Sequence, residues 1–274
     1  MAVTAPPAQA MREAPPGGAT GAPFDMQGGP DAALFLHGLT GSPFEVRFVA
    51  ERLHARGLRC RGPVMPGHGG DASALAGLSW EAWVEGALRE LASLDGARRT
   101  FVVGCSMGAL VACALAHAVP AKVDGLALLA PALHLTAVAR LAGFLARCTP
   151  FGELLPLVPK VGGSDVRDPV MRRENPGLAA VPLSAIAELL ELAHRVDMLL
   201  PGVVSPALVV AGRRDHTVKL SGARRLARRI GSGPARLVVL ERSFHLVGID
   251  VDRERCADEV AGFFQEIPVF HEGG

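Results

Sequence analysis

Gly104-Cys105-Ser106-Met107-Gly108 sets a serine between two glycines, directly after the apolar run Phe101-Val102-Val103 and directly before the helix-like run Ala109 to Ala118. A strand, a Gly-x-Ser-x-Gly turn and a helix in that order lift a serine hydroxyl clear of the end of a sheet. Such a hydroxyl is a weak nucleophile near neutral pH and needs a base to take its proton. Histidine oriented by a carboxylate serves that purpose. Downstream, Asp215 follows the apolar run Leu208 to Ala211 through Gly212-Arg213-Arg214, and His245 follows Leu237 to Leu240 through Glu241-Arg242-Ser243-Phe244. Each stands just past the carboxyl end of a predicted strand, where open α/β sheets bind ligands. Asp197 and Asp250 are rival acids, and His216 and His68 rival bases. Asp197 is expected to fix its own segment by hydrogen bonds, His216 adjoins the proposed acid, and His68 precedes the serine.

Acyl transfer also needs two donors for the developing oxyanion. The backbone N–H of Met107 is one, and that of Leu39, in His37-Gly38-Leu39, is the other. Gly38 and Gly41 would let that loop turn back over the serine. His37 and His68 are read as loop anchors through buried hydrogen bonds, and Cys105 as a packed small hydrophobe. The chain has no tyrosine, which removes any mechanism resting on a tyrosine acid or donor. Its five cysteines show no CxxC spacing and its histidines no HExxH pair, so no metal and no cofactor are expected.

These side chains need a frame. Ala32 to Leu36, Leu58 to Val64, the run before Ser106, Gly125 to Leu129, Ala207 to Ala211 and Leu237 to Leu240 read as strands. Helical spacing lies between them: Phe44 to Leu53, a helix capped by Ser79 and carrying Trp80 and Trp83, Ser221 to Ile230, and Arg253 to Phe264. The alternation predicts an α/β fold with a mostly parallel sheet flanked by helices. It breaks after the strand at 125–129, where two helical patterns and a Pro/Gly-rich connection intervene. The expected partition is a flexible tail over 1–30, a core over 31–132 and 202–267, and a helical cap, or lid, over 133–201. Apolar residues of that cap, among them Leu133, Leu135, Leu154 and Leu157, suggest an acyl pocket. Phe144, Leu145 and Phe151, together with Phe244, are the candidate substrate contacts.

The chain has 274 residues, 49% of them hydrophobic, and a formal net charge of +1. That balance gives no reason to expect a nucleic-acid partner. Arg224, Arg225, Arg228 and Arg229 cluster at helical spacing and read as a solvated face. No run of eighteen apolar residues is present, so no membrane span is expected. The Ala/Pro/Gly-rich first thirty residues lack the pattern of a signal peptide, and the unpaired cysteines suit a reducing cytoplasm.

The residues quoted above resemble the serine α/β-hydrolases, and within them the small bacterial carboxylesterase and monoacylglycerol lipase group. The likeness is carried by His37-Gly38-Leu39-Thr40-Gly41, Pro66-Gly67-His68-Gly69 and the serine pentapeptide. It continues in His194-Arg195-Val196-Asp197, Arg213-Arg214-Asp215 and Ser243-Phe244-His245-Leu246, and spans roughly residues 30 to 266. It implies a triad of Ser106, Asp215 and His245 and oxyanion donors at Leu39 and Met107. It also implies a small helical cap and hydrolysis of a small-molecule ester with one short-to-medium acyl chain. Ala109 stands where many members have a second glycine, and Phe244 stands where many have glycine, which would narrow the leaving-group side. A thioesterase or acyltransferase on the same scaffold is the nearest alternative, and a non-catalytic binding protein a more distant one.

Overall fold

The computed structural model describes residues 21–148, 157–160 and 162–268, with backbone alone over 145–148. Its strands are β1 (Phe24–Met26), β2 (Asp31–Leu36), β3 (Arg59–Gly62), β4 (Arg99–Cys105), β5 (Gly125–Leu129), β6 (Leu157–Pro159), β7 (Ala180–Pro182), β8 (Ala207–Gly212) and β9 (Arg236–Leu240). Its helices are α1 (Phe44–His54), α2 (Trp80–Ala92), α3 (Met107–Ala118), α4 (Ala137–Cys148), α5 (Pro169–Glu174), α6 (Leu183–Leu199), α7 (Leu220–Arg229) and α8 (Arg253–Glu266). Seven strands form one sheet in the order β1-β3-β2-β4-β5-β8-β9. All of its neighbours run parallel except β1, which is antiparallel to β3.

Strands β2, β5 and β8 are buried along their whole length, as continuous apolar runs in a sheet covered on both faces must be. One face packs on α1 and α8 through Val49, Leu53, Val260 and Phe264. The other packs on α2, α3 and α7 through Trp83, Leu110, Leu115 and Leu226. Helix α3 is apolar on every side because α2 and α6 enclose it where the sheet does not.

The sequence places the beginning of order near Asp31, but a strand precedes it. Phe24–Met26 pairs with Gly62, Arg61 and Cys60 on the outer edge of β3, and Phe24 is buried against Phe35. Three residues in a Pro/Gly-rich setting carry too little periodicity to announce a strand. The predicted cap at Ser79 also differs: its side chain makes no capping bond, and the free Trp80 N–H donates instead to Glu188 Oε2 at 3.0 Å. Between β5 and β8 the chain inserts α4, β6, α5, β7 and α6, with β6 and β7 paired antiparallel. Among its described residues the Pro/Gly-rich connection thus holds two short strands and a helix, capped by Asp168, which accepts the Val170 N–H at 2.9 Å.

Candidate active site

Ser106 lies between β4 and α3 with φ 56° and ψ −110°, a conformation a non-glycine residue adopts only where its surroundings force it. Space does the forcing. A methyl group on Gly104 would stand 2.2 Å from the Gly108 carbonyl oxygen, and one on Gly108 would stand 2.2 Å from that of Leu36. The two glycines therefore let strand, turn and helix approach one another. The Ser106 N–H donates to Leu129 O at 2.8 Å, which ties the turn to β5.

The loop after β8 brings in Asp215 and the loop after β9 brings in His245. His245 Nδ1 donates to Asp215 Oδ2 at 2.8 Å, and His245 Nε2 lies 2.9 Å from Ser106 Oγ. An imidazole that donates at Nδ1 presents a lone pair at Nε2, ready to take the serine proton. Asp215 Oδ1 accepts the N–H groups of Thr217 at 2.8 Å and Val218 at 2.7 Å, so both oxygens of the carboxylate are engaged. Burial pushes the Asp215 carboxyl up, but His245 and the two amides outweigh it and hold the group below its ordinary range. For His245 burial favours the neutral ring, yet Asp215 first, then Asp165 and Glu45, raise it above the ordinary histidine value.

The loop over 37–40 is pinned at each successive peptide. Gly38 N–H donates to Glu45 Oε2 at 3.0 Å, His37 Nδ1 donates to Gly38 O at 2.9 Å, and Thr40 N–H donates to His68 Nε2 at 3.1 Å. His37 Nε2 in turn accepts Met65 N–H at 3.0 Å. Burial and the neighbouring His68 push the His37 value down to about 3, so it acts as a neutral anchor. Met107 N–H is at the first position of α3, one of the amides a helix leaves without an internal partner. Gly41 does more than let the loop turn, because a methyl group there would meet the Glu45 carboxylate at 2.4 Å.

The rivals occupy other posts. Asp197 pairs with Arg225 at 2.6 Å, an ion pair that leaves the arginine side chain 40% exposed. Asp250 is fully buried and accepts backbone N–H groups of Arg167, Asp168, Phe244 and Val251. His216 is exposed and bonded to Asp165 at 2.8 Å. Asp165 itself was not anticipated: its carbonyl oxygen accepts the N–H groups of both His245 and Leu246, while its carboxylate accepts those of His216 and the Thr217 hydroxyl. It bridges the acid loop and the base loop, and nothing in its Gly/Ser-rich surroundings marks it in the sequence.

A cavity of about 310 Å³ opens over Ser106 and His245. The insertion supplies its apolar wall through Leu135, Ala139, Val181, Ile186 and Leu189, and a polar side is formed by Thr40, Glu45, Lys160, Ser164 and Asp165. Two of the residues proposed as substrate contacts, Phe144 and Phe244, do not line it. Phe144 is 60% exposed, because α4 turns that side outward, and Phe244 packs edge-on against His216 with ring centroids 4.5 Å apart. The Leu145 side chain and all of Phe151 lie outside the described residues, as does Leu154. Among the described residues no group of three His, Cys, Asp or Glu side chains is arranged to hold a metal ion, and no helix is long and apolar enough to cross a membrane.

Comparison with known proteins bears on the chemistry. The profile of the family described as "Serine aminopeptidase, S33" matches residues 30–252. The chain belongs to that family. The S33 profile describes α/β-hydrolases, and the chain has their mostly parallel sheet between helices. It is 27% identical over 243 residues to a thermostable monoacylglycerol lipase of Bacillus sp. strain H-257, covering 88% of this chain and 93% of that one. It is 24% identical over 248 residues to a carboxylesterase of Bacillus subtilis strain 168, covering 89% and 96%. Among solved structures, one from a study of the metagenome-derived lipolytic enzymes LipS and LipT superposes with a TM-score of 0.81 at 26% identity, over 90% of this chain and 98% of that one. A monoacylglycerol lipase of Paleococcus ferrophilus superposes with a TM-score of 0.72 at 18% identity, over 86% and 95%, and shares the fold. This S33 chain is therefore an esterase- or lipase-like serine hydrolase.

Proposed function

We propose that the protein hydrolyses carboxylic esters carrying one short-to-medium acyl chain, in the manner of a carboxylesterase or monoacylglycerol lipase. Ser106 attacks the ester carbonyl while His245 takes its proton. Met107 and Leu39 donate their amides to the oxyanion, and the acyl group stays on Ser106 as the alcohol leaves with a proton from His245. Water, activated by the same imidazole, then releases the acid. Asp215 holds the imidazole in the required tautomer and stabilises its charged form. The observation that carries this reading is the unbroken contact from Ser106 Oγ through His245 to Asp215, opening on a cavity with one apolar wall. In the same reading the segment over 133–201 acts as the lid, its inner residues Leu135, Ile186 and Leu189 lining the acyl side. The buried free thiols of Cys60, Cys105, Cys113 and Cys256 fit a reducing compartment, which we take to be the cytoplasm.

A series of p-nitrophenyl esters, matched thioesters and amides, given to wild type and Ser106→Ala, tests the proposal. The expected result is ester hydrolysis that improves from acetate to a mid-length chain, with kcat reduced on the order of 10⁴-fold or more in Ser106→Ala. A clear preference for thioesters would move the assignment to a thioesterase. Failure of wild type to react with a fluorophosphonate would end the enzymatic reading.

A further inference from the structure

Beside the relay stands a buried acid that it does not use. Glu45 is only 4% exposed and stands in the first turn of α1, against the Gly38–Gly41 loop and at the edge of the cavity. Its Oε2 accepts the Gly38 N–H at 3.0 Å, and Gly41 supplies the empty space its carboxylate fills. Burial pushes this carboxyl up. The Gly38 amide, Lys160, His245 and a hydrogen bond from Asn175 favour its ionised form, but burial outweighs them and leaves the group above its ordinary range. A hydrogen bond from a backbone amide to such an acid is stronger than an ordinary amide–carbonyl bond when the acid is ionised.

Its geometric effect follows from peptide planarity. The Leu39 N–H and the Gly38 carbonyl belong to one rigid plane, so fixing the oxygen fixes the direction of the N–H. His37 Nδ1 and Gly41 N–H hold that oxygen, at 2.9 and 3.0 Å. The joint that could swing this plane is Gly38, the residue type with the widest backbone freedom. Glu45 restrains the plane before that joint and His68 the plane after Leu39, and of the two anchors Glu45 is the acidic one. A methyl group on Gly38 would lie 3.2 Å from Glu45 Oε2 and 3.2 Å from Ser106 Cβ, so the carboxylate and the serine both crowd the side of that residue where any larger side chain would stand.

We infer that Glu45 is a positioning residue, which clamps the Gly38 amide so that the Leu39 amide is already aimed at the oxyanion, with Gly41 as the notch that admits it. This rests on the reading of Leu39 as an oxyanion donor given under the proposed function. Glu45 touches no reacting atom; it removes the rotation that would otherwise have to be frozen in the transition state.

The test compares Glu45→Ala, Glu45→Gln, Gly41→Ala and the Gly41→Ala/Glu45→Ala double variant in the full chain, with p-nitrophenyl butyrate as substrate. A trifluoromethyl ketone serves as a mimic of the tetrahedral adduct. Glu45→Ala should lower kcat on the order of 10²-fold and weaken the ketone in parallel, with KM within about threefold of wild type. Glu45→Gln keeps an acceptor for the Gly38 amide and should restore most of that loss. Gly41→Ala should damage the wild type but add little once Glu45 is alanine, because the methyl group then has room. An unchanged kcat in Glu45→Ala, a glutamine variant no better than alanine, or a Gly41→Ala effect of equal size in both backgrounds would overturn the inference. Should Glu45→Ala fail to fold, the Gly41→Ala and Glu45→Gln variants decide the point alone. A wild type that hydrolyses the ester while these variants stay indifferent refutes only this inference; a wild type inert to ester and fluorophosphonate refutes the proposed function beneath it.

Discussion

The carboxyl edge of the sheet and the inserted segment above it are built by opposite rules. At the edge, Ser106, Asp215 and His245 are nearly sealed from solvent, and each has its polar atoms committed to named partners. In the insertion, α4 turns Val138, Leu141 and Phe144 outward with exposures of 78%, 59% and 60%, while Ala139 faces the cavity. Groups that move protons must be held within tenths of an ångström, which demands burial and redundant hydrogen bonds. A wall that only receives an apolar chain needs area and little directionality. The contrast implies that reaction rate is governed by the edge and substrate preference by the insertion.

Asp215→Asn would break the edge most sharply. The amide cannot hold His245 in the donating tautomer, and kcat should fall on the order of 10⁴-fold, read by steady-state kinetics, with the fold retained by circular dichroism. Next comes Gly108→Ala. Its methyl group would lie 2.2 Å from the Leu36 carbonyl oxygen, and overpacking of this kind costs about 1–3 kcal/mol or more. Thermal melts should show a drop of several degrees, alongside a displaced serine and weak fluorophosphonate labelling.

A milder probe is pH. In the proposed mechanism His245 must be neutral to accept the serine proton, and its value is raised above the ordinary 6.5, chiefly by Asp215 against the effect of burial. Below that raised value the ring is protonated and kcat/KM should fall tenfold per pH unit, so the acid limb should have its midpoint above 6.5. A profile flat across the neutral range would assign proton transfer elsewhere. The smallest effect belongs to Phe144→Ser, on the outward side of α4, which should alter stability by less than about 0.5 kcal/mol and leave hydrolysis of short soluble esters unchanged. Ile186→Ala, on the cavity side, should by contrast shift the chain-length optimum. If the two exchanged roles, selectivity would not reside in the cavity face of the insertion.

The same divide decides how much could be read from the sequence. Strand β5 coincides with its predicted span, and the loops bearing Asp215 and His245 follow β8 and β9 as expected, because buried parallel strands are unbroken apolar runs. The insertion was legible only as helices: β6 and β7 have three residues each, too few for any period to emerge. Phe144 stands outside the cavity for a related reason. Apolarity identifies a residue able to line a pocket, while the rotation of α4 about its axis, set by packing on α6, decides whether Phe144 does so. Glu45 and Asp165 were missed because a carboxylate that accepts backbone amides leaves no spacing pattern. One signal did exist for Glu45, an acidic residue beside Phe44 and Val46, both buried, with a glycine four positions before it.

Strand β1 has a practical consequence. By lying antiparallel along β3, its three residues cover a row of main-chain groups that would otherwise face water at the margin of the sheet. A version of the protein trimmed to begin at Asp31 would keep every reacting group and yet present that row to another molecule, an invitation to edge-to-edge aggregation.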